Sequence, residues 1–433
     1  MSNFQIITTG IFVALIVIGV GIFSLFGGAG RGGDIGKVEI WGTLDQSIMQ
    51  AVLTTLAEKD KIYQNAIYTA FSLDKYQDAL VNAIASGQGP DLFFISQDNI
   101  GLLSDKLQVI PYSVVSQGTY VTSFIDEAQL FLAPQGMLAM PFSIDPLVMY
   151  WNRDLFTSAG VAQPPKSWNE FLTLASKLTS PADGQGVRRS AVALGAWDNI
   201  KNAKAVLSAL FMQTGDFITA RKGDTGLLIS IFGRDPAGGN AAPAADALRF
   251  YTDFANPSKL VYSWNRSMPQ AADAFTSGDL AVYFGFASEY VGLAARNPNL
   301  HFSIALVPQL ENTPTRITYG SMQGLALARG AKNPQGAVVI AQMLSGAEAS
   351  SALLNKVGLP PVRRDSLPDT SASAALDVVV QSALISRAWA DPNKAATDML
   401  FKEMIESVIA GRSDPLQAVH EASGGLQQLL SNQ

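Results

Sequence analysis

Residues 136–179, GMLAMPFSIDPLVMYWNRDLFTSAGVAQPPKSWNEFLTLASKLT, restrict the fold of this chain more than any other stretch. Leu138, Met140 and Phe142 lie two apart, and Leu147, Val148, Met149 and Tyr150 follow Pro146 as an unbroken apolar run. Alternation predicts a strand with one covered face, and the continuous run predicts a strand buried on both faces. Between them, Ser143-Ile144-Asp145-Pro146 is a break that carries one carboxylate. Asn152-Arg153-Asp154 opens a short helix that stops at Gly160, a helix-ending glycine. After Pro164-Pro165, Ser167 and Glu170 carry the signature of a capping box, and Phe171, Leu172, Ala175 and Leu178 form the buried stripe of the helix behind it.

The rest of the chain alternates in the same way. Strands are predicted at 38–41, 67–71, 92–95, 191–195, 281–284, 302–307 and 325–328. Helices are predicted at 46–63, 72–86, 201–213, 245–254, 334–346, 375–385, 394–410 and 415–430, and 215–243 reads as loops with a hairpin. Strands alternating with helices imply an α/β protein with a mostly parallel sheet, whose ligand-facing loops lie past the C-terminal strand ends.

The order of strand, acidic break, strand, YWNRDLF, PP and SWNEF helix resembles the extracellular solute-binding proteins of carbohydrate ABC importers, the maltose-binding-like family. The likeness runs from about residue 38 to the C-terminus. It includes the step Ala274-Phe275, Gly278 and Ala281, and the proline-containing return crossing Gly358-Leu359-Pro360-Pro361-Val362-Arg363. The resemblance implies a two-lobed periplasmic-binding-protein-like fold with hinge crossings. Lobe one would hold 36–142 plus 305–360, and lobe two 143–304 plus 361–433. It also implies a monomeric binder with no catalytic residues and no cofactor, which delivers a small molecule, a saccharide first of all, to ABC permease subunits.

Saccharide recognition needs directional hydrogen-bonding groups for the hydroxyls and flat rings for the C–H faces. The resemblance places Asp45, Asp98 and Asp145 where maltose-binding relatives carry acidic contact residues. It places Trp197 near a ring-stacking aromatic, and Phe286 and Ser288 in a ligand-facing loop with Glu289. Trp264 and Trp389 lie in polar surroundings and are candidates to line the cleft, whereas Trp151 and Trp168 fit the core patterns of a strand and a helix. Each aspartate also reads as a helix cap or turn residue, and Glu289 as a solvated helix start. Gln46 and Ile95 depart from the maltose binder, which has lysine and tryptophan there, so maltose itself is not implied.

Composition excludes other classes. Charged residues make up 15% and hydrophobic ones 48%, net charge is −6, and no basic block occurs, which argues against a nucleic-acid partner. Cysteine is absent and histidine occurs only at 301 and 420, so thiol chemistry and a histidine-rich metal site are excluded. No phosphate loop, metal motif or nucleophile elbow is present. Two other readings stay open: a binder of a cationic ligand such as a polyamine, and a glycoside hydrolase using two loop carboxylates.

Residues 6–26 are an uncharged apolar run long enough, at about 1.5 Å per residue, to span a bilayer core of about 30 Å. Residues 1–26 are thus expected to be an N-terminal membrane anchor, with a cleaved signal as the competing reading, and 27–36 a Gly-rich tether. Arg31 and Lys37 follow the run, so a count of flanking positive charges points the large domain inward. The resemblance places it outside the cytoplasm.

Overall fold

The computed structural model describes residues 35–181, 187–233, 243–313, 315–371 and 373–431. Its organising element is the strand Met140–Asn152, buried along nearly its whole length. Through residues 140–146 it pairs antiparallel with the strand Thr318–Ala328, which in turn pairs with Leu92–Ser96. Beyond Pro146 it changes partners and runs antiparallel to Leu280–Phe286 and to Phe302–Ala305. One strand therefore belongs to two halves of the molecule. The change of partner falls at Asp145-Pro146, where proline has no N–H to give to a ladder.

Each half has its own hydrophobic core. The first contains Ile40, Phe93, Ile144, Met322 and Leu325, and the second Leu147, Tyr150, Phe171, Phe211, Val282 and Met404. In the first half, Ala66–Ala70, Val38–Gly42 and Leu92–Ser96 are parallel neighbours, connected through the helices Gln46–Lys59 and Leu73–Ala85. In the second half, Val187–Val192 lies parallel to Leu280–Phe286. This is the two-lobed α/β architecture expected from the sequence.

Local signals hold in detail. Asn152 caps Arg153–Ser158, and Gly160 follows with φ +70°. Ser167 caps Trp168–Leu178, accepting from the Glu170 N–H at 3.2 Å, while the Glu170 carboxylate reaches one residue further back, to the Lys166 N–H at 2.7 Å. Thr219–Lys222 and Leu227–Ser230 form the expected hairpin. Trp168 is core, its indole N–H donating to Gln213 at 2.7 Å, whereas Trp151 is half-buried.

The expected boundaries are moved in both directions: Ile144, Val362, Ala383 and Ala390 were expected in the second half but pack in the core of the first. Val307, Ile317 and Tyr319 were expected in the first half but pack in the core of the second. The reason is register: the strand Thr318–Ala328 meets the first half only from Gly320 onward. The expected anchor 1–26 and nearly all of the tether lie outside the described residues. Among the described residues no single helix is long and apolar enough to cross a membrane. The bent pair Pro334–Leu344 and Ala347–Val357 passes by length and composition, but its Ile340, Ala341, Leu344 and Leu353 pack into the first core.

Candidate functional site

The seam between the halves is built around Asp145. Its Oδ1 accepts the backbone N–H of Ser288 at 3.0 Å, which ties the crossing strand to the loop after Leu280–Phe286. Burial pushes the Asp145 carboxyl up to about 6, against the opposing pull of the Ser288 hydrogen bonds. Glu289 holds that loop in place. It accepts from the Tyr283 hydroxyl at 2.6 Å, from the Asn202 amide at 2.8 Å and from the Phe286 N–H at 3.0 Å. Tyr150 donates to the Phe286 carbonyl at 2.7 Å. The Phe286 ring lies 6.4 Å from that of Tyr319, close to edge-on.

Asp98, just past the strand Leu92–Ser96, enters the seam from the first half. Burial raises its pKa, Lys204 opposes the rise, and Asp391 adds to it. Gln97 fixes this loop at both ends, its amide oxygen accepting from the Met322 N–H at 3.1 Å and its carbonyl from the Asp391 N–H at 2.8 Å. Lys204 sits at the start of the helix Ala203–Gln213 with its ammonium 2.7 Å from each of Asp391, Asp398 and Thr397. The same ammonium lies 5.3 Å from the centre of the Trp389 ring. Lys394 pairs with Asp398. Around Asp98 the seam thus gathers three carboxylates and two ammonium groups, with no hydrogen-bond donor on the Asp98 carboxylate among the described residues. Such a site offers acceptors to hydroxyl or ammonium groups from a ligand.

The expected site residues divide. Asp145 and Ser288 meet at the crossing strand, with Phe286 two residues before Ser288, while Asp98 faces the Lys204 cluster. Asp45 is an exposed N-cap, accepting from the Ser47 hydroxyl and from the Ile48 and Ser47 N–H groups, and those bonds hold its carboxyl below the usual range. Trp197 is half-buried and lines a small pocket of about 110 Å³ with Asp198, Arg266 and Glu406. Asp198 pairs with Lys402, one helical turn beyond Asp398, so this pocket continues along the same helix face as the Lys204 cluster.

Trp264 and Trp389 require correction, because neither faces an opening. Trp264 is 0% exposed and donates its indole N–H to Asn199 at 3.0 Å. Trp389 is 2% exposed, donates to Ser208 at 3.1 Å and stacks on Phe401 with centroids 5.9 Å apart. Both indoles satisfy their single polar atom internally, which lets the rings serve as core. Glu289, expected as a solvated helix start, is the loop's organising acceptor. Lys204, Asp391 and Asp398 carry no local signal; they are spread over nearly two hundred residues and meet only in the fold.

A two-lobed fold with a polar seam at its crossings is the architecture of a binding protein. The chain belongs to the bacterial extracellular solute-binding protein family, whose pattern matches residues 58–378. That is a family of binders rather than enzymes. Among curated relatives, the galactooligosaccharide-binding protein of Bacillus subtilis (strain 168) is 22% identical over 343 residues, covering 78% of this chain and 76% of that protein. Among solved structures, the cyclic alpha-maltosyl-1,6-maltose binding protein from Arthrobacter globiformis superposes with a TM-score of 0.71 at 16% identity, covering 92% of this chain and 99% of its own. An ABC transporter solute binding protein from Thermotoga lettingae TMO, bound with alpha-D-tagatose, gives a TM-score of 0.65 at 19% identity, covering 91% and 100%.

Proposed function

We propose that this chain is the substrate-binding protein of an ABC importer, that it takes a sugar or oligosaccharide into the Asp98–Asp145 seam by hinge closure, and that it delivers the ligand to a permease. The observation that carries the reading is the pair of desolvated aspartates, one past a strand of the first half and one on the crossing strand, beside the Phe286 ring and the Lys204 cluster of the second half. A ligand that contacts both halves favours the closed arrangement by its differential affinity. The names of the relatives, saccharide binders of several sizes, support the ligand class. The uncharged run 6–26 supports a membrane anchor that keeps the receptor beside its permease, outside the cytoplasm.

The excess of carboxylates over ammonium groups around Asp98 favours a second reading, a cationic ligand such as a polyamine. Calorimetric titration with galacto- and maltooligosaccharides and with spermidine, on the native chain and on Asp98→Asn, separates the two. A neutral saccharide keeps measurable affinity in the variant, because an amide still accepts and donates. A polyamine loses nearly all of it. Heat from neither class would remove the proposal.

A further inference from the structure

Neighbouring side chains on a strand point to opposite faces, and here the two faces of the crossing lead to different places. Asp145 turns toward Ser288, while Ile144 turns the other way, toward Glu127: a Cβ at Gly320 would lie 2.8 Å from Ile144 and 1.9 Å from Glu127. On the Glu127 side is a cavity of about 640 Å³, walled by Leu130 of the first half, by Phe217, Arg221 and Leu228, and by Arg387 of the return segment. That volume falls within the range of about 300–1,000 Å³ common to small-molecule sites.

Three features of the wall indicate what it would hold. Glu127 is 1% exposed, and neither of its carboxyl oxygens has a hydrogen-bond partner. Burial pushes its pKa up to about 8, although Arg387 pulls the other way. At neutral pH it is therefore an acid whose O–H has nothing to donate to. Arg221 is half-buried and donates to the Gly226 carbonyl at 3.0 Å; burial lowers its pKa, and among the described side chains no carboxylate pairs with it. Asp126 is already occupied by Arg364 and Arg387. The lining thus carries two guanidinium groups, that of Arg221 and that of Arg387 paired with Asp126, beside the apolar surfaces of Leu130, Leu132, Phe217 and Leu228.

We propose that this cavity is a second binding site, on the opposite face of the crossing strands from Asp145, for a small organic acid with an apolar body. Its carboxylate pairs with Arg221, its hydrocarbon part covers Phe217 and Leu228, and the Glu127 O–H donates to an acceptor oxygen of the ligand. The site does not depend on the saccharide reading of the seam.

The test is calorimetric titration of the full chain with phenylacetate and hexanoate, against 2-phenylethylamine and hexanol. The acids are expected to bind, and the amine and the alcohol to bind more weakly or not at all. Arg221→Gln is expected to weaken phenylacetate binding about tenfold, equivalent to about 1.4 kcal/mol. Glu127→Leu, which cannot donate, is expected to weaken it several-fold, and Glu127→Gln, which can, to retain it. An unchanged thermal transition in each variant separates lost binding from lost structure. Arg387 and Tyr319, the latter on the strand Thr318–Ala328 with its ring toward Phe286, are the titratable groups that interact electrostatically with Glu127 among the described residues. Binding is therefore expected to fall as pH rises through about 8, where Glu127 ionises and repels the ligand. Because hinge closure moves the two walls of this cavity, maltotriose is expected to change phenylacetate affinity by a factor that levels off once the seam is filled, without competing for the site. Absence of acid binding, tighter binding of the amine, strictly competitive displacement by maltotriose, or undiminished binding in both Arg221→Gln and Glu127→Leu would overturn the proposal.

Discussion

Asp145 and Ser288 join the two halves of the molecule where the crossing strand changes partners: the Asp145 carboxylate accepts the Ser288 backbone N–H at 3.0 Å. The bond is made by a group that burial holds at a pKa of about 6, well above its ordinary 3.8. The folded state therefore binds the proton more tightly than the unfolded state. Its stability falls as pH rises from about 4 to about 6, and the full cost stands above that window. Asp145→Asn keeps an acceptor for Ser288 and removes the charge. It is expected to raise the unliganded unfolding free energy by on the order of 1–2 kcal/mol at neutral pH and to change it little near pH 4. Urea unfolding at the two pH values measures the difference.

Lys204 neutralises Asp391, whose side chain is 1% exposed, and also touches Asp398 and Thr397. Lys204→Met leaves Asp391 with the Thr397 hydroxyl, the Asn393 N–H and only the more distant Lys394 ammonium as counter-charge. The variant is expected to lose about 3 kcal/mol, because an unpaired buried charge costs more than the pair contributes. Scanning calorimetry reads the loss as a lower melting temperature.

A core tryptophan and a pocket tryptophan separate by experiment. Trp264→Phe removes a fully buried ring segment and the donor to Asn199, so it is expected to cost about 2–4 kcal/mol of stability with little change in ligand affinity. Trp197→Ala, at a half-buried pocket edge, is expected to do the reverse. Chemical unfolding and ligand titration on the same two variants check the contrast.

Gly320 has no room for a side chain, since a Cβ would stand 1.9 Å from Glu127 and 2.8 Å from Ile144. Gly320→Ala is expected to destabilise by about 1–3 kcal/mol through overpacking. Shortening the acid in Glu127→Ala should recover part of that loss, so a double-mutant cycle should show coupling.

The strands, the capped helices and the break at Asp145-Pro146 were legible because their signals are local: alternation, a proline, a serine three residues before a glutamate. Asp98 was legible as a candidate because its carboxylate follows the strand Leu92–Ser96, and Asp145 because it stands beside a proline, although it lies inside the continuous strand Met140–Asn152. The site was not legible where side chains meet from distant segments. Nothing near Lys204 announces Asp391, and a tryptophan in polar surroundings, as at Trp264 or Trp389, gives no sign that one buried amide or hydroxyl will satisfy its ring nitrogen. Asp45 shows the opposite limit, since the same residue type past a strand end serves as a cap.

The central claim is that a ligand held in the seam draws the two halves together. The chain has no cysteine, so spin labels can be placed at Leu73→Cys in the first half and Val291→Cys in the second, both exposed positions. Electron–electron distance measurement, with and without saturating maltotriose or galactooligosaccharide, is the most direct test. The account expects the distance distribution to shift and narrow in the presence of the saccharide that binds, and to stay unshifted in Asp98→Ala. A bound saccharide that leaves the distribution unchanged would contradict it.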